Sequence, residues 1–329
     1  MRDDKHPSAA AENDLEDMVA SSDTGARKPL GVPGKLLVSI AAIWSLFQLW
    51  IASPLPYIVG FGVFSATEAR SIHLAFALFL AFMAYPAFKR SPRDRVPLAD
   101  WVLAAVAAFC GAYLFIFYAD LAQRPGLPIT QDIIVGVVGI LMLLEATRRA
   151  LGPPLMIVAA VFIAYSLFGP YMPGILAHRG VSLGGLINHQ WLGTQGVFGI
   201  ALGVSTSFVF LFVLFGALLD KAGAGNYFIK VAFSLLGHFK GGPAKAAVVA
   251  SGMTGLISGS SIANTVTTGT FTIPMMKRVG FSAEKAGAVE VSSSVNGQIM
   301  PPVMGAAAFL MVEYVGIPYV DVIKHAFLP

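Results

Sequence analysis

Two short polar clusters interrupt an otherwise apolar sequence towards the C-terminal end. The first, SGSSIAN, occupies residues 258–264, and the second, NGQIMPP, occupies residues 296–302. Hydroxyl, amide and free carbonyl oxygens are the ligands that hard cations such as sodium prefer. A helix that begins after such a break carries a partial positive charge at its N-terminus, which suits an anionic group. The two clusters therefore predict a site for a small cation and an anion.

The expected ligands lie in these two clusters, together with Ser294 just before the second. The predicted cation site consists of Ser258, Gly259, Ser260, Ser261 and Asn264, with Gly297 and Pro301 shaping the opposite wall. The predicted substrate contacts are Ser294, Asn296 and Gln298. Glu290 is a further candidate, because a carboxyl inside a membrane helix is costly unless it is paired or hydrated. No catalytic residue is predicted, no metal other than a sodium ion, and no organic cofactor.

The first cluster lies in a long apolar stretch, about residues 246–276, that is too long for one membrane span. Lys245 precedes the stretch, and Lys277 and Arg278 follow it, so the positive-inside rule places both ends in the cytoplasm. A stretch that enters and leaves on one side predicts a re-entrant hairpin with a non-helical tip at residues 258–264. Such backbone is tolerated at membrane depth only where it is buried in protein or lines a wet cavity.

The second cluster interrupts a further apolar stretch, about residues 284–314. Pro301 and Pro302 have no N–H group, and each clashes with the preceding turn of a helix. The sequence therefore predicts a discontinuous helix whose unwound middle lies near the depth of the hairpin tip. Two adjacent unwound elements are how ion-coupled transporters build a site.

Ordinary helix packing is the alternative explanation for both breaks. Gly255 and Gly259 form a G-x-x-x-G pattern, and small residues at this spacing let membrane helices approach closely. A simple kink would account for Pro301 and Pro302. Close packing does not require Asn264 and the neighbouring serines, and a kink does not require the Asn-Gly-Gln group, so the sequence favours a binding site.

The chain that carries these clusters has the composition of a membrane protein. Its 329 residues are 56% hydrophobic and 12% charged, with a mean hydropathy of +0.72. A soluble domain carries about 25% charged residues, so we expect an all-α polytopic membrane protein. A membrane helix needs about 20 mostly apolar residues. The predicted spans are residues 35–53, 71–88, 98–118, 132–145, 154–168 and 196–219.

Lysine and arginine residues are concentrated in alternate loops between these spans. This pattern predicts a cytoplasmic N-terminus and a multi-pass protein of the bacterial inner membrane. The net charge of +4 comes largely from these loops and does not indicate nucleic-acid binding. Residues 1–34 are rich in Asp, Glu, Ser and Ala and almost free of aromatic residues, which predicts a disordered cytoplasmic tail.

Three sequence runs resemble the large membrane subunit of TRAP transporters, the tripartite ATP-independent periplasmic transporters. They are GLISGSSIAN at 255–264, IPMMKRVGF at 273–281 and GQIMPP at 297–302. The four spans before residue 150 are similar to the small four-helix subunit of these transporters, here fused in front of the large one. That fused arrangement is typical of the TAXI branch. The resemblance implies three regions: the tail, a small-subunit-like domain at 35–150 and the N-terminal part of the large subunit at 151–329.

The resemblance implies a sodium-driven elevator transporter that receives its substrate from a periplasmic binding protein. The implied substrates are small organic anions, often carboxylates, and the hairpin tip and broken helix would hold the sodium ion. Permeases of this family carry a second, inverted half with another hairpin and another broken helix. We therefore expect this chain to be truncated at its C-terminal end.

Three other functions are compatible with parts of the sequence. A related carboxylate transporter that works without a binding protein is one, although the fused four-helix block argues against it. An intramembrane serine hydrolase would need a histidine base at the depth of its serine, and only His73 lies in an apolar stretch. A scaffold protein would not explain the polar hairpin. No P-loop, H-E-x-x-H or dinucleotide-binding pattern is present in the sequence.

Overall fold

The computed structural model describes residues 26–27, 29, 31–88, 90–258, 261–299 and 304–326. Regular structure in these ranges is helical, and they contain no strand, which confirms the predicted all-α class. The predicted tail lies mostly outside the described residues. A helix already begins at Val32, and Arg27 is buried in an ion pair with Asp100, while the tail itself stays a prediction.

The chain forms two compact units that divide between Ser207 and Phe208. The α-helices of the unit that ends at Ser207 are α1 Val32–Ala52, α2 Leu55–Val59, α3 Ala66–Ala84, α4 Leu98–Ile116, α5 Tyr118–Ala122, α6 Thr130–Leu151, α7 Pro153–Phe168, α8 Leu183–Ile187 and α9 Ile200–Val204. A capping box starts α3, since the Ser65 hydroxyl accepts from the Glu68 N–H and the Glu68 carboxylate accepts from the Ser65 N–H.

Five helical stretches in the described part of the chain are long and apolar enough to cross a membrane. They are Val32–Ala52, Ala66–Ala84, Leu98–Ile116, Pro153–Tyr171 and Ile200–Leu219. Each of them overlaps a predicted span. The remaining predicted span, residues 132–145, lies within the 22-residue helix α6, which is not one of the five.

Two buried polar clusters join α4 to α6. Near the start of α4, Asp100 pairs with Arg149 from the end of α6 at 2.8 Å. Near the end of α4, the Tyr113 hydroxyl donates to Asp132 at the start of α6 at 2.5 Å. Arg124, from the connecting loop, pairs with the same carboxylate. The two helices therefore run antiparallel, and the clusters fix their register because a buried charge left unpaired is costly.

Trp191 anchors the segment after α8 to α6. Its side chain is fully buried in the core of this unit. The indole ring lies directly against the backbone of Gly139, and a Cβ atom built on Gly136 would overlap Ile187 Cγ2. Glycine at 139 therefore leaves the room that Trp191 occupies, and glycine at 136 leaves room for Ile187.

The described part of the second unit begins at Phe208. Its helices are α10 Phe210–Lys221, α11 Ala224–Leu236, α12 Gly242–Ser258, α13 Ser261–Arg278, α14 Ala283–Asn296, α15 Ala306–Val315 and α16 Tyr319–Ala326. Helices α12, α13 and α14 pack against one another. A Ser282 cap starts α14, since its hydroxyl accepts from the Lys285 N–H.

The first predicted break is shorter than expected. Helix α12 ends at Ser258 and α13 begins at Ser261, so residues 261–264 form the first turn of α13 rather than an unwound tip. Residues 259 and 260 lie outside the described residues. Whether the helix pair enters and leaves on one side of the membrane stays a prediction.

The second predicted break lies between Asn296 and Ala306, where α14 ends and α15 begins. The chain after α14 turns back on itself, since the Gly305 N–H donates to the Gln298 carbonyl at 2.6 Å. Met304 has a φ angle of 56°, a left-handed conformation that is uncommon for a residue other than glycine. Pro301 lies outside the described residues, so its part in the break stays a prediction.

The division of the chain into packing units differs from the predicted division into transporter subunits. Helix α7, which follows the predicted boundary after residue 150, packs against α6 within the first unit. Packing and subunit origin are different properties, however. The small-subunit-like region at 35–150 therefore stays a prediction.

Candidate functional site

Asn264 lies at the centre of the contact between α12 and α13. Its side chain is buried, and both amide hydrogens are donated to Ser251, one to the carbonyl at 2.8 Å and one to the hydroxyl at 3.0 Å. The Thr254 hydroxyl donates to the side-chain oxygen Oδ1 of Asn264 at 2.6 Å. The amide is thereby fully hydrogen-bonded and bridges the two helices across the first break.

A chain of hydroxyls extends from this amide to the third helix. The Ser251 and Ser294 hydroxyls lie 3.0 Å apart, and the Ser294 hydroxyl lies 3.4 Å from the Glu290 carboxyl oxygen Oε1. Each serine can accept one hydrogen bond and donate one. A continuous hydrogen-bonded path therefore runs from Asn264 in α13 through Ser251 in α12 to Glu290 in α14.

Two threonines of α13 complete the surroundings of Glu290. The Thr268 hydroxyl contacts carboxyl oxygen Oε1, and the Thr272 hydroxyl contacts Oε2. Glu290 is fully buried, and its described partners are hydroxyl groups rather than charged side chains. We call this set of seven side chains the polar network. Its members are Ser251, Thr254, Asn264, Thr268, Thr272, Glu290 and Ser294.

Close backbone packing holds the three helices of the network together. A Cβ atom built on Gly297 would lie 2.6 Å from the Cα of Gly255, so any larger side chain would force α12 and the end of α14 apart. Gly255 therefore has the packing role that the G-x-x-x-G alternative assigned to it. The network at Asn264 shows that close packing and a polar centre occur together here.

The structure brings some of the predicted ligands together. Asn264 and Ser294 are both buried in the polar network, and Gly297 lies at the helix contact beside it. Ser261 accepts a hydrogen bond from the Gln298 amide at 3.1 Å, which links the two clusters at a more exposed position. Asn296 is exposed to solvent and is not part of the polar network.

The other predicted ligands cannot be placed. Gly259, Ser260 and Pro301 lie outside the described residues. Ser258 closes α12, but the position of its side chain is not described. The proposed part of these four residues in cation binding stays a prediction.

Several members of the network were missed by reasoning from polar clusters. Thr268 and Thr272 follow Asn264 at intervals of four residues, and Ser294 follows Glu290 at the same interval. Residues four apart lie on one face of a helix. This spacing is the signal that could have placed Thr268 and Thr272 on one face with Asn264, and Glu290 on one face with Ser294. Ser251 and Thr254 were missed because they precede the first cluster.

The network can supply oxygen ligands and exchange hydrogen bonds, but it holds no nucleophile–base pair. His73, the one histidine considered as a base, contacts Gln48, Trp44 and Ser205 in the other packing unit. The described residues also contain no group of three or more His, Cys, Asp or Glu that could hold a metal ion. The chemistry available in the network is therefore that of hydroxyl, amide and carboxyl oxygens.

A sequence profile for the tripartite ATP-independent periplasmic transporters, DctM component, matches residues 138–329. The match covers more than half of the 329 residues and includes every member of the polar network. This chain belongs to the DctM family. The family is a membrane component of transporters and not an enzyme, which removes the serine hydrolase alternative. The DctM match begins inside α6, before the predicted subunit boundary.

Named relatives of this DctM-family chain are large permease subunits. The C4-dicarboxylate TRAP transporter large permease protein of Vibrio cholerae is 35% identical over 91 residues, which are 28% of this chain and 20% of the relative. The protein of the same name from Rhodobacter capsulatus is 33% identical over 91 residues, 28% of this chain and 21% of the relative. The Escherichia coli 2,3-diketo-L-gulonate TRAP transporter large permease protein is 28% identical over 91 residues, 28% of this chain and 21% of the relative.

The similarity of the DctM-family chain to these relatives is limited in length. The matched stretch covers about a fifth of each relative's own length. A comparison with solved structures found no match. Family membership and the multi-pass membrane character are thus established.

Proposed function

We propose that this chain is the membrane permease component of a sodium-coupled, binding-protein-dependent secondary transporter that imports small organic anions. The observation that carries the proposal is the buried Asn264 amide, which joins hydroxyls of α12 at the first break within the range matched by the family profile. Burying such an amide and its partner hydroxyls is costly unless all are satisfied. A sodium ion at the adjacent end of the helix pair would use the same kinds of oxygen ligand.

The proposed substrates are carboxylates, and the proposed partner is a periplasmic substrate-binding protein. The names of relatives for C4-dicarboxylate and 2,3-diketo-L-gulonate transport support this class of substrate. A protein named for ectoine transport is also among the relatives, so the class is broader than dicarboxylates.

The proposal includes the fused subunit arrangement of the TAXI branch and the orientation of the chain in the membrane. Helices α1, α3 and α4 precede the family match, which begins at residue 138 inside α6, and this order supports a small-subunit-like block in front. The alternation of Lys- and Arg-rich loops supports a bacterial inner-membrane protein with its N-terminus in the cytoplasm.

The decisive measurement for sodium is thermal stability in sodium chloride against potassium chloride at equal ionic strength. A ligand that binds only the folded state, at a concentration of 100 times its Kd, adds about 2.7 kcal/mol of stability. We expect a higher Tm in sodium for the wild type and no such difference for Asn264→Ala. The matched control is Asn226→Ala, since Asn226 is an exposed amide in α11. Equal Tm values in the two salts for the wild type would reject sodium coupling.

Dependence on a binding protein separates the proposal from the related carboxylate carrier. Proteoliposomes with an imposed sodium gradient would be given radiolabelled succinate, with and without a purified binding protein from the same TRAP system. Uptake that requires the binding protein supports the proposal. Uptake at the same rate without it would favour the binding-protein-independent carrier.

A further inference from the structure

Glu290 is a fully buried carboxyl that the proposed sodium site does not use. Its side chain is 0% exposed, and no ion pair to it is found among the described residues. An ionised carboxylate that is buried without a cation is strongly disfavoured and is expected to become neutral or to bind one. The question is which cation neutralises Glu290.

The described contacts of Glu290 are hydrogen bonds, in which a proton can be held. Carboxyl oxygen Oε1 contacts the Thr268 hydroxyl, and Oε2 contacts the Thr272 hydroxyl.

Each threonine hydroxyl has a second acceptor in reach. The Thr268 hydroxyl lies 2.7 Å from the backbone carbonyl oxygen of Asn264, and the Thr272 hydroxyl lies 3.0 Å from the backbone carbonyl oxygen of Thr268. A hydroxyl carries one hydrogen and can accept others. Each threonine can therefore point its hydrogen either at the carboxyl of Glu290 or at the carbonyl four residues back.

This choice satisfies both protonation states of the carboxyl. When Glu290 is ionised, the hydroxyls of Thr268, Thr272 and Ser294 can all donate to it. When Oε2 carries the proton, it donates to the Thr272 hydroxyl, which turns its own hydrogen to the Thr268 carbonyl. Oε1 still accepts from Thr268 or Ser294. A buried polar group is costly only when it is left unsatisfied, and here neither state leaves one.

We propose that Glu290 binds and releases one proton at the contact of α12, α13 and α14, with Thr268 and Thr272 reorienting to satisfy both states. Uptake converts one carboxylate and one hydrogen ion into a neutral carboxylic acid. The Ser251–Ser294 path joins this event to Asn264. On the proposed transport function, on which this consequence rests, a proton would move with the substrate.

Other charged groups of the three helices do not explain the carboxyl. They are Lys245 in α12, Lys277 and Arg278 in α13, and Glu284 and Lys285 in α14, and all five are exposed. The described contacts of Glu290 are with none of them. The groups that surround its carboxyl are therefore the hydroxyls of the polar network.

Infrared difference spectroscopy during a pH titration of the purified chain tests the proposal without any substrate. We expect a carboxylic-acid C=O band that appears as pH falls and is absent in Glu290→Gln. The band should remain in Glu284→Gln, a control that removes an exposed carboxyl from the same helix. Thr272→Val should shift the band to higher frequency, because it removes the hydroxyl that contacts Oε2.

Three results would overturn the proton site. One is a full set of titrating bands in a folded Glu290→Gln protein. Another is a band that Thr272→Val leaves unmoved, a test that stands even if Glu290→Gln does not fold. The third is a carboxylate band that moves on exchanging potassium for sodium while no protonated band titrates. If the sodium-dependent Tm shift fails but the Glu290 band titrates, the sodium proposal falls and the proton site stands.

Discussion

Gly255 and Gly297 bring the backbone of α12 into direct contact with the end of α14. A Cβ atom on Gly297 would come within 2.6 Å of the Gly255 Cα, closer than real side chains approach. The contact lies beside the hydroxyl path from Ser251 to Ser294, which needs the two helices at this separation. The glycine pair therefore sets the geometry of the polar network.

Gly297→Ala should destabilise the protein, because the added methyl group must push backbone rather than a flexible side chain. Overpacking of this kind costs about 1–3 kcal/mol, measurable as a lower Tm in detergent. The control is Gly287→Ala in the same helix, where a Cβ atom would meet nothing within 4 Å. Alanine favours a helix over glycine by about 1 kcal/mol, so this control should raise the Tm. A fall of equal size in both variants would contradict the close contact.

Asn264→Leu should destabilise the protein more than the same change at an exposed asparagine. The variant keeps the bulk of the side chain but removes three buried hydrogen bonds, two to Ser251 and one to Thr254. Each hydrogen bond contributes about 0.5–1.5 kcal/mol. Asn226→Leu in α11 is the control, since Asn226 is exposed. Similar Tm values for the two variants would mean that the amide is not a structural bridge.

Asp100→Ala should be among the most damaging changes in the unit that ends at Ser207. It removes the carboxylate shared by Arg27 and Arg149, whose side chains are 0% and 2% exposed. Breaking a buried pair by removing one partner costs about 3–5 kcal/mol. Asp321→Ala removes the acid of an exposed pair with Lys324 and should leave the Tm unchanged. Thermal unfolding of both variants provides the comparison, and equal losses would show that the Asp100 cluster is effectively hydrated.

Gly139→Ala should disturb the packing of Trp191 and so destabilise the protein. A methyl group at this position would overlap the indole ring, which is fully buried. We expect a Tm loss corresponding to about 1–3 kcal/mol. Gly184→Ala is the control, because its nearest neighbour would be the Ile133 side chain at 3.8 Å, an ordinary contact. Unfolding curves followed by far-ultraviolet circular dichroism would detect the difference, and matching curves would contradict the packing of Trp191.

The sequence alone was sufficient for the all-helical membrane class, for five of the spans and for the approximate places where helices end at Ser258 and Asn296. The spans follow from a local property, the length of apolar stretches. The resemblance of the runs at 255–264 and 297–302 also led to the correct family. Asn264 was a predicted cation ligand, and that role stays a prediction; its amide is buried at the helix contact.

Only the tertiary structure decided which side chains meet. Ser251, Asn264 and the Glu290–Ser294 pair lie on three separate helices, and no local pattern states that these helices pack at hydrogen-bond distance. From the sequence, Glu290 was only a further candidate ligand. The free-energy cost of burying its carboxyl depends on its neighbours, and the threonine hydroxyls among them belong to another helix. The unwound tip was predicted too long for a related reason. Whether residues 261–264 unwind depends on the helix that Asn264 packs against, which composition does not reveal.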